Sequence, residues 1–172
     1  PPPVPPAAPI LAGGRLACTK TGSPSAVGAA TGAAAGLVAM PPASGTTTVG
    51  GALVIGIASG AICYLCATKL KHALGYDDSL DVFGVHGVGG FVGTVMAGVF
   101  GAAALGGNQE GMAIGSQVGV QLTAALMTAV WAGVASYVLL KFVDAVVGLR
   151  VDEEEESSGL DIALHDEVGY NL

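Results

Sequence analysis

Asp77-Asp78-Ser79-Leu80-Asp81-Val82-Phe83-Gly84-Val85-His86-Gly87-Val88-Gly89-Gly90 is the stretch on which the fold is decided. Three carboxylates stand at its start, one histidine follows, and no charged residue comes after it until Glu110. An apolar run of that length can cross the roughly 30 Å of a bilayer core. Ionisable side chains inside such a run are rare and usually functional, because an unpaired polar group in hydrocarbon is costly. His86 is therefore the first candidate functional residue, provided the rest of the chain also reads as a membrane protein.

The composition meets that condition. Of 172 residues, 52% are hydrophobic and only 11% charged, and the mean hydropathy is +0.67. A soluble domain carries about a quarter charged residues. The net charge of −7 is unevenly spread. Residues 151–172 hold eight of the thirteen acids and no Lys or Arg, while residues 1–150 hold six basic and five acidic side chains. An acid excess confined to one tail argues against nucleic acid as a partner. Cys63 and Cys66 stand three apart in an apolar run, where zinc would need two further ligands. They read as two small apolar residues on one helix face, and Cys18 has no visible partner.

Working outward, residues 1–22 form a Pro-rich leader, with six of the nine prolines in its first nine positions. Such a segment favours polyproline geometry over helix. It lacks the basic start and continuous apolar run of a signal peptide. Residues 23–150 hold four predicted helices. The first covers 25–40, opened by Pro24 and stopped by Pro41-Pro42. Its Gly28, Gly32 and Gly36 make a flat seam that lets membrane helices approach closely. Being short for a span, it is expected to tilt or be partly re-entrant. The second covers 49–68, with Gly56 and Gly60 as another close-contact pair. Lys69, Lys71 and His72 follow it, cations suited to a helix C-terminus. The third covers 80–105, begun by Asp78 and Asp81 as a capping arrangement and broken at Gly106-Gly107-Asn108. The fourth covers 112–147, and its last turns emerge around Lys141 and Asp144. Trp131 and Tyr137 on it are expected to pack or to face lipid.

The charges test this layout. All six Lys and Arg fall before the first helix, between the second and third, or at and beyond the end of the fourth. Four spans place those three regions on one side, which the positive-inside rule makes cytoplasmic. A soluble four-helix bundle would instead show charged outer faces. Residues 151–172 form an acidic cytoplasmic tail. Its glutamate run reads as a solvated spacer, and Leu160, Ala163 and Leu164 have the spacing of a short amphipathic helix able to dock on the cytoplasmic face.

The opening stretch closely resembles the tenth-helix signature of the Amt/Mep ammonium transporters. Gly148-Leu149-Arg150-Val151, with Gly159-Leu160-Asp161 and His165-x-Glu167-x-x-Tyr170, is similar to that family's cytoplasmic C-terminal region. Gly50-Gly51-Ala52-Leu53-Val54-Ile55-Gly56 fits its ninth helix. The resemblance implies an eleven-helix subunit in two inverted halves, assembled as a homotrimer with a pore through each subunit. This chain resembles helices eight to eleven. The expected fold is thus an all-α membrane protein with four transmembrane helices from the second half. Residues 1–22 do not resemble the preceding helix, so the expectation is a truncated or mis-translated N-terminal portion. The absent portion would carry the second pore histidine, an outer aromatic ammonium site and a phenylalanine gate.

The implied function is ammonium or ammonia transport, with the chain as a partial subunit contributing one pore histidine. An ammonium sensor of the same family, or an inactive fragment, is the alternative. The related Rh branch fits the Val88-Gly89-Gly90 continuation less well. A haem-carrying subunit would need paired axial ligands, and a hydrolase an assembled nucleophile and base. The reading is therefore of a transporter rather than an enzyme, with no cofactor and no metal. His86 and Val82, one turn apart, are the expected pore residues. An imidazole can donate at one nitrogen and accept at the other without net charge. Asp78 and Asp81 are expected to anchor the helix start, since their spacing with Asp77 suits a metal poorly. His86 lies only five residues beyond Asp81, shallow for a mid-membrane site. That depth is reconciled if Asp81 is tucked into the protein and capped by backbone donors. Gly90 and Gly93 either widen the lumen or allow tight packing, and the sequence leaves both open. The resemblance also implies a PII-type signalling protein at the cytoplasmic face. Ser157-Ser158 departs from the charged residues common at that point in the family.

Overall fold

A computed structural model describes residues 26–168, and side-chain burial from residue 30 onward. Helices dominate. α1 is Ala26–Ala39. α2 is Val49–Leu74, α3 is Phe83–Phe100 and α4 is Ile114–Val146. Two short helices close the chain, α5 at Glu153–Ser158 and α6 at Leu160–His165. Among the described residues the sole β feature is one isolated bridge between Ala102 and Gln109.

The boundaries follow the chemistry of the ends. A 3-10 turn at Pro41–Ala43 follows α1, where two prolines cannot supply the N–H groups that a continuing helix needs. Thr48 caps α2, its hydroxyl accepting from the Gly51 N–H at 3.4 Å. α2 runs six residues past the predicted end at Thr68, through a π turn at Cys66–Leu70, and stops at Gly75 with φ +63°. Lys69 and Lys71 therefore sit inside the helix rather than after it. α3 is shorter than predicted at both ends. Leu80 lies in the turn before it, and Ala103–Leu105 forms a separate 3-10 turn. The break at Gly106 has φ +84° as expected of a glycine stop.

α2, α3 and α4 are each long and apolar enough to cross a membrane. The described part of α1, 14 residues, is not, in keeping with the short first helix read from the sequence. The protein is an all-α membrane protein.

The chain divides into two compact units, one ending at Leu126 and the other beginning at Met127 within α4. In the first, α1, α2 and α3 pack together through small residues. Ala39, Ala43, Ile55 and Ala97 form one buried cluster; Ala35, Cys63 and Val85 form a second. Gly32 and Gly36 of the predicted seam are buried, as are Gly56 and Gly60. Lipid tails are as apolar as leucine, so van der Waals fit between close backbones holds such a bundle. At the far end of α3, Asn108 ties the loop back, its amide donating to the Gly45 carbonyl at 2.8 Å. In the second unit, Trp131 and Tyr137 are exposed. The acidic run forms α5 and is mostly exposed, and Glu156 holds Arg150 in a two-toothed ion pair at 2.7 and 2.8 Å. Leu160, Ile162 and Leu164 on α6 are exposed. The expectations for residues 1–22 lie outside the described residues.

Candidate functional site

The two anchor carboxylates divide the work differently from the sequence expectation. Asp78 takes the backbone donors: Oδ1 accepts from the Val82 N–H at 2.8 Å and Oδ2 from the Phe83 N–H at 2.9 Å. Those are first-turn N–H groups with no partner inside the helix. Asp81 takes none. Its backbone has φ +53°, a left-handed conformation that Asp tolerates better than most residues. The kink brings the chain round into α3 and leaves Asp78, a turn earlier, beneath the free N–H groups. The Asp81 carboxylate instead lies 2.8 Å from the Lys71 ammonium of α2, which also donates to the Asp78 carbonyl. Tyr76, in the same loop, stands edge-on to Phe83 with ring centres 5.7 Å apart.

α3 opens with a π turn at Phe83–Gly87 that contains His86. π turns are uncommon single-turn insertions, frequent at functional sites. The other π turn, in α2, lies directly against it. A Cβ placed on Gly84 would be 2.9 Å from the Ala67 Cα and 3.0 Å from its nitrogen. Only a glycine lets the two backbones meet so closely.

Ala67 lies seven residues before the end of α2 at Leu74. At 1.5 Å per residue, α3 thus begins about 10 Å in from that end. His86 is thus set in from the end of α2, whose last turns carry Lys69, Lys71 and His72. Asp81 is not tucked under backbone donors; its side chain is 33% exposed.

The backbone beside His86 is pinned from below. The Cys63 thiol donates to the Val85 carbonyl at 3.7 Å. Ser59 Oγ lies 3.6 Å from that sulfur and donates to the Ala35 carbonyl at 2.8 Å. Three helices are joined by this buried ladder. Sequence reasoning missed Ser59 and placed Cys63 as merely apolar. The available signal was a serine four residues before a cysteine, on the same face of an uncharged helix.

His86 itself is exposed and makes no hydrogen bond or ion pair among the described residues. Val82, a turn earlier, is 52% exposed. The two glycines beyond it differ. Nothing lies within 4 Å of a Cβ on Gly90, so the space at this position is open. Gly93 is buried against α1, where a Cβ would stand 2.8 Å from the Ala39 carbonyl carbon. One glycine borders open space and the other permits packing.

A model of the Ammonium Transporter Family matches residues 7–170. The chain belongs to the ammonium transporter family. Within that family it is 44% identical over 157 residues to a putative ammonium transporter of Methanothermobacter thermautotrophicus, covering 89% of this chain and 39% of that one. It is 43% identical over 153 residues to an ammonium transporter of Aquifex aeolicus, covering 88% and 36%. Among solved structures it superposes on Saccharomyces cerevisiae Mep2 with a TM-score of 0.76 at 33% identity, covering 87% and 35%. It also superposes on a Sensor Amt Protein with a TM-score of 0.82 at 26% identity, covering 92% and 39%. The ammonium transporter segment thus spans less than two fifths of the length of these relatives.

Proposed function

We propose that this chain forms part of the conduction path of an ammonium transporter and that His86, with Val82 beside it, lines the pore. The observation that carries the reading is the placement of His86. It is an imidazole held on a π turn, exposed and with no hydrogen-bond partner among the described residues. A core histidine would be expected to have its ring nitrogens satisfied. A pore histidine keeps them for substrate, offering a donor and an acceptor to ammonium or ammonia without charging the apolar lumen. The family names of the relatives supply the substrate class. Lys69, Lys71 and the tail lie at the cytoplasmic side in this reading, which the grouping of Lys and Arg supports. Homotrimeric assembly and a PII-type partner at that side belong to the same proposal.

Replacing His86 by Ala in the full-length subunit tests it. Methylammonium uptake by proteoliposomes should change at least tenfold, while size-exclusion chromatography shows the assembled oligomer. Loss of assembly in place of altered uptake would make His86 structural. A sensing role is the second reading, favoured by the likeness to the Sensor Amt Protein. It predicts ammonium binding by the wild-type subunit without uptake.

A further inference from the structure

Among the described residues, the Lys71 side chain joins the end of α2 to both anchor residues of α3. It donates to the Asp78 carbonyl, and its ammonium lies 2.8 Å from Asp81 Oδ1. Asp78 holds the first N–H groups of α3. The Asp81 carbonyl accepts from the Val85 N–H at 2.8 Å, immediately before His86. A continuous chain of bonds therefore runs from Lys71 through Asp81 to the backbone of the π turn. Asp81 carries an uncommon left-handed φ at the point where the clasp grips it. A further contact between the same two helices, Gly84 on Ala67, has little slack.

We propose that Lys71 is a positioning residue for His86, an inference that rests on the pore reading above. Its ammonium, clasping Asp81 and the Asp78 carbonyl, sets the height and direction of the imidazole in the conduction path. Simple helix stapling would affect only stability, because the Lys71 and Asp81 side chains are 26% and 33% exposed and such ion pairs contribute little. Positioning would instead alter transport and the environment of His86 while assembly survives.

The test uses the full-length subunit in proteoliposomes with four variants: Lys71→Met, Lys71→Arg, Asp81→Asn and the Lys71→Met/Asp81→Asn double variant. Asp81→Asn keeps a residue that tolerates the left-handed backbone and removes only the charge. Methylammonium uptake is read beside the rate at which diethyl pyrocarbonate modifies His86, resolved from His72 and His165 by peptide mass spectrometry. Lys71→Met should lower uptake about tenfold and change the His86 modification rate at least threefold, with the oligomer intact. Asp81→Asn should do the same, the double variant should be no worse than either, and Lys71→Arg should recover to within about twofold. The inference is overturned if Lys71→Met leaves the modification rate unchanged, or if the two losses multiply in the double variant. Loss of the oligomer in both single variants would overturn it too, since the clasp would then be a fold element. The modification rate needs no ammonium. If it responds to the clasp while His86→Ala leaves uptake untouched, the pore reading fails and the positioning of His86 stands.

Discussion

Gly90 and Gly93 lie three residues apart on α3 and do opposite work. A methyl group on Gly93 would meet the Ala39 backbone at 2.8 and 2.9 Å, where no side chain can swing aside. Gly93→Ala should therefore destabilise the helix bundle by about 1–3 kcal/mol, the usual cost of overpacking. Thermal unfolding in detergent, followed by size-exclusion chromatography, would show it as a lowered midpoint. Gly90→Ala meets nothing within 4 Å and should leave that midpoint unchanged or slightly raised, since alanine is the better helix former. Both glycines look alike in the sequence, because a missing side chain does not say what it makes room for. His86 was legible at this scale, as the sole histidine in a long uncharged run. Its open face was not, since exposure depends on which helices stand beside it.

At the scale of elements, the start of α3 is built from three devices: the Asp78 cap, the Asp81 kink and the meeting of two π turns. The cap was visible in the sequence as an acid before an apolar run. Which acid performs it was decided by the left-handed φ at Asp81, a torsion that no spacing reveals. Asp78→Ala removes two charge-assisted bonds to the Val82 and Phe83 N–H groups and should cost about 0.5–2 kcal/mol. Asp78→Asn should recover part of it through its one carbonyl oxygen. Hydrogen exchange at the amides of residues 82 and 83 gives the local readout: faster exchange there in Asp78→Ala, with the amides of α2 unaffected. The extra six residues of α2 escaped the sequence reading because Lys69, Lys71 and His72 look like a helix end. Lysine is itself a good helix former, and Lys71 pairs from inside the helix with Asp81.

For the molecule as a whole, α4 is the informative element. No residue along its 33-residue length is buried, and its exposed side chains include Leu126, Val130, Trp131 and Val138. Helices that pack only by close backbone fit leave such a surface to lipid or to further chain. His86 likewise faces open space. A pore needs a closed wall, and in the reading proposed above the exposed face of His86 would be one side of it. Proteoliposomes containing this chain alone should take up methylammonium no faster than empty liposomes. Uptake above that background would show that the segment closes a path by itself, for instance by self-association.

Some of this protein was determined by sequence alone. Uncharged runs set the approximate place of α1 to α4, because a bilayer rejects charge wherever it occurs along a span. Glycine spacing marked the packing seams, and the Asp77–Gly90 motif marked the family. Tertiary structure decided the rest. It set the inset of α3 against α2, because that depends on Gly84 meeting Ala67. It assigned Asp78 to the backbone and Asp81 to Lys71, because a carboxylate pairs with whatever donor the fold brings within reach. It also left His86 exposed, since burial is a property of neighbouring helices rather than of the histidine's own position in the chain.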